Sequence, residues 1–419
     1  MSRSRSASHL PQWLDRTLSV WLTLWFSLIV VYNHAGALAW AGLAVLLGGA
    51  GLAVLAMRQG RGLRSALPLL VVLAALFGWM SVTTMWGSYG PDTAWRLAAQ
   101  ALFCAGLPAL LLSRSNRLRK VLSHILMATA LGGAAVILAD AATGYGLSLL
   151  LDPAGSGGDL NYRQGEAEMH LGRGQVAWAL LLPLVLSLMA MRLRAGRAWT
   201  AGLLLVAVLV AGCALNRLYT PVLILLGALP LWALAFKAPK AAIRLSGATA
   251  VLSVALAPLV GLVSRLAGED FMSRLPMSWD HRLRMWDYTL ERITERPLLG
   301  HGLDASRAMQ EGFTTRIGVD IPYISLHPHN IGLQAWLELG AVGALLLAAA
   351  LGLAVALAAR LASGSRARAA ALAGLVMGGS VGGAVTVGAW QYWWWGLIVV
   401  AAVLIVLIPD DALELDRPA

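Results

Sequence analysis

The residues best suited to chemistry in this chain form one run. His329 and Asn330 are followed by nine residues, then Gly340, two residues more and Gly343. An imidazole at the mouth of a long apolar helix is a candidate proton acceptor. Pro328 suits the first helical position, which puts His329 in the first turn, where the positive end of the helix dipole disfavours imidazolium. Neutral imidazole is the form a general base needs. At about 100° per residue, Leu333, Trp336, Gly340 and Gly343 fall within about 40° of the His329 direction, while Glu338 points roughly opposite. The glycines leave two side-chain gaps about 16 Å or more below the ring. Such gaps predict either a slot for a lipid tail or the close approach of another helix.

Cations near the same end of the molecule supply the second ingredient. Arg217 stands between two apolar segments joined by almost no loop, where a guanidinium must pair, snorkel or hold an anion. Arg282 and Arg284 lie near the start of an amphipathic stretch. A guanidinium offers planar paired donors that match phosphate, so these arginines are candidate clamps for a diphosphate headgroup; the plainer alternatives are an interfacial arginine and a solvated helix face. Arg163, Arg173 and His327 are further candidate substrate contacts. No His/Asp/Glu spacing suggests a metal, and neither a phosphate loop nor a dinucleotide fingerprint is present. No cofactor is expected.

The elements that must position these groups are set by composition. The chain has 419 residues, 58% hydrophobic and 13% charged, with a mean hydropathy of +0.71. That predicts an all-α, polytopic integral membrane protein. About twelve apolar runs are long enough to cross roughly 30 Å of hydrocarbon; they include 243–263, 331–359 and 390–408 as single spans. Short connections on one side carry Arg58, Arg61, Arg64, Arg114, Arg117, Lys120, Arg192, Lys237, Lys240 and Arg366 with no acidic residue. Short basic loops mark the cytoplasmic side, and an even span count puts both termini there, including the polar tail with Arg3 and Arg5. The net charge of +11 is therefore mostly a topology signal and not a nucleic-acid footprint.

The opposite side carries two long connections, 141–174 and 264–330, within what reads as one membrane domain over 1–419. In the larger loop Asp280 is a plausible cap and Pro297 a stop, framing a helix over about 282–296. Leu283, Trp286, Leu290 and Ile293 share one face of it, as in a helix lying on the membrane or over the bundle mouth. Trp390, Tyr392, Trp393, Trp394 and Trp395 read as an interfacial belt. Gly374, Gly378, Gly379, Gly382 and Gly383 read as close helix packing. Cys104 and Cys213 sit in apolar runs and imply no disulfide framework.

These features resemble the O-antigen ligase family, within the wider superfamily of O-antigen ligases and polymerases. His329, Asn330, Gly340 and Gly343 fit its histidine motif at every fixed position. Arg282 to Trp286, followed by Pro297-Leu298-Leu299-Gly300-His301-Gly302, resembles the superfamily's arginine helix and turn, and favours Arg282 over Arg284. Arg217 stands where the family has its other arginine, although Pro221 replaces a leucine often found four residues on. The resemblance implies an inverting, metal-independent glycosyltransferase. It would move a polysaccharide from undecaprenyl diphosphate to lipid A–core oligosaccharide at the periplasmic face of the bacterial inner membrane. Arg217 and Arg282 would hold the diphosphate and His329 would deprotonate the acceptor hydroxyl, with Asn330 a further candidate substrate contact. A polymerase or a protein O-oligosaccharyltransferase of the same superfamily is the alternative. A lipid or polysaccharide transporter is the alternative of another class, disfavoured by spans nearly free of charge.

Overall fold

The computed structural model describes residues 11–57, 63–151 and 160–410. Arg3, Arg5, Arg58, Arg61 and residues 152–159 of the shorter loop lie outside the described residues. The described chain begins with helices α1 (Gln12–Ser27), α2 (Ile29–His34), α3 (Ala39–Met57), α4 (Leu63–Thr83), α5 (Asp92–Cys104), α6 (Leu107–Leu112) and α7 (Asn116–Ala142). There follow α8 (Gly146–Leu151), α9 (Leu160–Arg192), α10 (Ala195–Leu215), α11 (Tyr219–Lys237), α12 (Pro239–Ala255) and α13 (Pro258–Leu266). The large loop holds α14 (Glu269–Met272) and α15 (Met277–Glu295), and the chain continues into α16 (Ile331–Leu361), α17 (Arg366–Val385) and α18 (Tyr392–Leu404).

The molecule is a polytopic all-α membrane protein. Among the described residues nine helices are long and apolar enough to cross a membrane, or ten if α12 and α13 form one span. Hydropathy predicts about twelve. The first apolar run is divided at Leu28 into α1 and α2, and the last apolar helical stretch, Tyr392–Leu407, falls short of membrane length. The run 243–263 is not one straight span. The chain bends by 71° between α12 and α13, where Pro258 begins the new helix. α13 then packs on α15, closely enough that a Cβ at Gly261 would stand 2.6 Å from Leu290 Cβ.

Two helices form the interior. The membrane-length window of α9 is 83% buried and that of α17 is 61% buried, against 17% for α4. The glycines of α17 do what close packing requires: a Cβ at Gly374 would meet Pro183 of α9 at 2.7 Å, and one at Gly378 would meet Ile224 of α11 at 3.1 Å. The tryptophan cluster departs from the expected interfacial belt. Trp390, Trp393 and Trp394 are buried, and Trp394 covers Gly382 of α17. Two of the indole N–H groups find protein acceptors, as buried tryptophans favour: Trp390 donates to Glu338 Oε2 at 2.6 Å and Trp393 to Gln391 Oε1 at 3.0 Å.

The large loop has its own small core. α15 starts earlier than the sequence suggests, after Pro276, and Asp280 is a buried carboxylate holding Arg284 and Arg316 in place of a helix cap. Trp286 and Ile293 pack with Met285, Tyr288, Ile324 and, from α16, Leu333 and Leu337. The helix therefore lies over the bundle mouth. A short antiparallel hairpin, Gly312–Thr314 with Asp320–Pro322, was not anticipated from the sequence. It is too short to show alternation.

Candidate functional site

The glycines below His329 create neither a lipid slot nor a simple helix seam. Gly340 has φ 65° and ψ −169°, which breaks α16. A continuous helix would bond the amides of Ala341 and Val342 to the carbonyls of Leu337 and Glu338. Here the turn 297–302 inserts between them. Ala341 N donates to Pro297 O at 2.8 Å and Val342 N to Leu298 O at 3.4 Å, while His301 N and Gly302 N donate to Leu337 O at 2.9 Å and Glu338 O at 2.8 Å. Leu339 O, also freed, accepts from Trp79 Nε1 at 2.9 Å. A Cβ at Gly340 would lie 2.2 Å from Leu298 O, and one at Gly343 would lie 2.2 Å from Leu339 Cβ. Both glycines are sealed, so the slot is excluded. The turn and the break at Gly340 are two halves of one interlock.

The interlock places the upper segment of α16, with His329 just before it. His329 is not in the first helical turn. It has φ 52°, a left-handed conformation uncommon for a side-chain-bearing residue. Asn330 is the cap, its Oδ1 accepting from Leu333 N at 2.9 Å. Trp286 of α15 holds the approach by donating to Pro328 O at 2.8 Å.

Three consecutive carbonyls at the end of α17 then hold three site residues. Ala384 O accepts from Asn330 Nδ2 at 3.0 Å, Val385 O from Arg282 Nε at 3.0 Å, and Thr386 O from His329 Nδ1 at 2.8 Å. The last carbonyls of any helix lack intrahelical partners, which makes this end a natural acceptor row. Because a carbonyl can only accept, the His329 contact assigns the proton to Nδ1. Nε2 keeps its lone pair and has no protein hydrogen bond among the described residues. Burial pushes the imidazole down to about 4, helped by the charges of Arg282 and His281 and opposed by the Thr386 carbonyl. His327 lies edge-on to it at 4.5 Å between ring centroids. Its Nδ1 receives the amide of His329, and its Nε2 is 2.9 Å from Gln391 Nε2. Burial, then His329, Arg307 and Arg173, hold His327 down to about 3.

The arginines separate. Arg282 is half-buried and pairs with no carboxylate among the described residues. Besides Val385 O it reaches Ser278 O at 2.9 Å and stacks over Trp279 at 5.4 Å, and desolvation lowers its pKa. Its charge is left for an anion. Arg284 is committed elsewhere. Its two Nη atoms meet Glu269 at 2.8 and 2.5 Å and its Nε meets Asp280 at 3.0 Å, so its charge is already matched, against the expectation of substrate contact.

Arg217, with φ 54°, is exposed after α10 and makes no hydrogen bond or ion pair among the described residues. The next residue, Leu218, packs on Gly172 of α9 at 3.5 Å from a Cβ there, beside Arg173. Arg173 is half-buried, touches Met169 Sδ at 3.2 Å and acts on His327. Arg163 donates to Leu149 O at 3.2 Å at the shorter loop.

Sequence reasoning missed the buried support. Glu338 is fully buried and accepts from Asp304 N at 2.7 Å, Ser306 Oγ at 2.6 Å, Gln334 Nε2 at 3.0 Å and Trp390 Nε1 at 2.6 Å. Gln334 in turn accepts from Ala389 N at 2.7 Å. Two polar residues four apart on an otherwise apolar helix were the available signal.

With this geometry in view, comparison with known proteins is direct. Residues 204–348, from α10 to the middle of α16, match the O-antigen ligase family. That segment is similar to the O-antigen ligase family model. It contains Arg217, Arg282, the interlock and His329. Proteins named "Putative polysaccharide ligase" are similar over a shorter stretch: that of Rickettsia conorii is 38% identical over 81 residues, 19% of this chain and 20% of the relative. That of Rickettsia prowazekii is 37% identical over 81 residues, again 19% and 20%, and that of Rickettsia bellii 38% over 69, or 16% and 17%. The chain thus spans about a fifth of the length of the curated relatives it matches. The helices before the matched segment carry Arg173, and those after it carry the carbonyls that orient His329.

Proposed function

We propose that the protein is an O-antigen ligase: a glycosyltransferase that moves a saccharide polymer from a polyprenyl diphosphate carrier, undecaprenyl diphosphate, to the lipid A–core oligosaccharide. The reaction takes place at the periplasmic face of a bacterial inner membrane. The observation that carries this reading is the neutral His329, its Nδ1 proton held by Thr386 O and its Nε2 open, beside an Arg282 that no carboxylate neutralises.

His329 Nε2 accepts the proton of the acceptor hydroxyl as that oxygen attacks the anomeric carbon. The bond from that carbon to the diphosphate oxygen breaks, the diphosphate leaves on its lipid, and one displacement inverts the carbon. Arg282, with Arg217 at the neighbouring surface, offsets the charge that develops on the leaving group. Asn330 touches no substrate in this scheme; it caps α16 and ties His329 to α17. The carrier lipids of both substrates reach the site through the surrounding bilayer.

The test is transfer by purified, reconstituted protein. Supplied with lipid-linked polymer and lipid A–core, it should form the joined product. Product only when a second lipid-linked saccharide replaces lipid A–core would favour polymerisation and sink the ligase reading. Movement of the lipid across the bilayer with no covalent product would sink the enzyme reading.

A further inference from the structure

The two histidines divide the cations of the site into two sets. Arg282 acts on His329, whereas Arg173 and Arg307 act on His327. We propose that Arg96 and Arg307 form a second anion site beside His327, across the two imidazoles from Arg282, which takes a phosphate group of one of the two reacting saccharide lipids.

The geometry begins on α5. Thr93, Arg96 and Gln100 lie three and four residues apart and share one helix face. Thr93 Oγ1 donates to Asp304 Oδ2 at 2.5 Å and Gln100 Nε2 donates to Tyr392 O at 2.9 Å. Arg96 is held between these two contacts, exposed and without a hydrogen bond or ion pair among the described residues. Arg307 enters from the large loop, its Nε on Asp304 Oδ1 at 3.1 Å. The Tyr392 hydroxyl feels the charge of both Arg96 and Arg307, and Tyr392 follows Gln391, which contacts His327 at 2.9 Å.

The carboxylates nearby do not cancel this charge. Asp304 is one acid for the two guanidinium groups of Arg96 and Arg307. Glu338 behind it has both oxygens turned toward protein donors. An excess of forked donors facing a solvent-open corner is suited to phosphate oxygens. Two sources share that chemistry: the diphosphate of the lipid-linked donor and the phosphate groups of a phosphorylated acceptor. Which lipids react rests on the function proposed above; the anion site does not.

Binding of inorganic diphosphate, measured by titration calorimetry on full-length protein carrying Arg217→Gln and Arg282→Gln in detergent, reads the second site alone. Adding Arg96→Gln and Arg307→Gln should weaken that binding at least tenfold. Affinity unchanged within twofold overturns the proposal, whether or not transfer is ever observed. If the combined variant fails to fold, Arg96→Gln alone, at an exposed position, should weaken binding at least threefold, and no change overturns it equally. Transfer kinetics on the otherwise wild-type protein then identify the source. A tenfold higher acceptor KM that disappears with phosphatase-treated acceptor assigns the site to the acceptor. A tenfold higher donor KM assigns it to the donor.

Discussion

At the scale of single residues, the proposed site is one neutral imidazole between two sets of cations. His329→Ala should abolish transfer while donor binding, read by direct titration, changes less than about threefold. Substantial turnover in that variant would remove the base assignment. The pH dependence follows from burial. The folded imidazole sits at about 4, below its ordinary 6.5, so His329 is neutral throughout the neutral range. Then kcat/KM should hold from neutrality to about pH 5 and fall only below it. A bound diphosphate brings negative charge toward the ring and raises its pKa, so the acid limb of kcat should lie at higher pH than that of kcat/KM. For stability the sign is the same. Between about 6.5 and 4 the unfolded chain takes up protons that the folded site refuses, so stability is full above 6.5 and falls with pH through that window. Arg284 offers a contrast. Arg284→Gln removes the partner of Glu269 and of buried Asp280, which should cost about 1–2 kcal/mol in thermal unfolding. Donor KM should not change. A raised donor KM would return Arg284 to the substrate.

At the scale of elements, the decisive feature is the exchange of helix bonds for loop bonds at Gly340. Gly340→Ala places a Cβ 2.2 Å from Leu298 O at a φ of 65°. It should cost about 2–4 kcal/mol, combining backbone strain with overpacking. The loss should appear in both thermal stability and kcat, because the turn 297–302 and the His329 segment move together. Retention of both would mean the interlock is dispensable. The elements also show what the sequence could and could not convey. The spacing of His329, Gly340 and Gly343 was legible, and so was the presence of α15 over the mouth. The role of the glycines was not, because helix periodicity assumes an unbroken helix and the break depends on a turn forty residues earlier. For the same reason the position of His329 relative to the cap was missed: Asn330, not Pro328, governs the helix start. Glu338 was set aside because it points away from His329, yet its distance from the base is what lets it anchor the surrounding turn.

At the scale of the whole molecule, α9 and α17 form a buried pair, and the large loop closes one end over them. Basic short connections opposite that loop predict that the loop faces the periplasm. A cysteine placed at Thr315 should react with an impermeant maleimide in intact cells, and one at Gly196 only after permeabilisation; the reverse pattern would invert the topology. The hydropathy pattern conveyed the class and most of the spans. It counted a span at each end and one at Pro258, where apolar composition continues through a break, a shorter helix or a bend, and it read the Trp390–Trp395 cluster as a belt because composition does not record which apolar helix lies inside.

The acceptor row at Ala384, Val385 and Thr386 has a consequence for how the protein tolerates change. Those carbonyls belong to the main chain, so no side-chain replacement deletes them. A saturation library should therefore show three permissive positions in the middle of an unforgiving neighbourhood. Register, not residue identity, carries the information there. Inserting or deleting one residue in α17 rotates its end by about 100° and dismisses Asn330, Arg282 and His329 together, even where every motif in the chain still reads as intact.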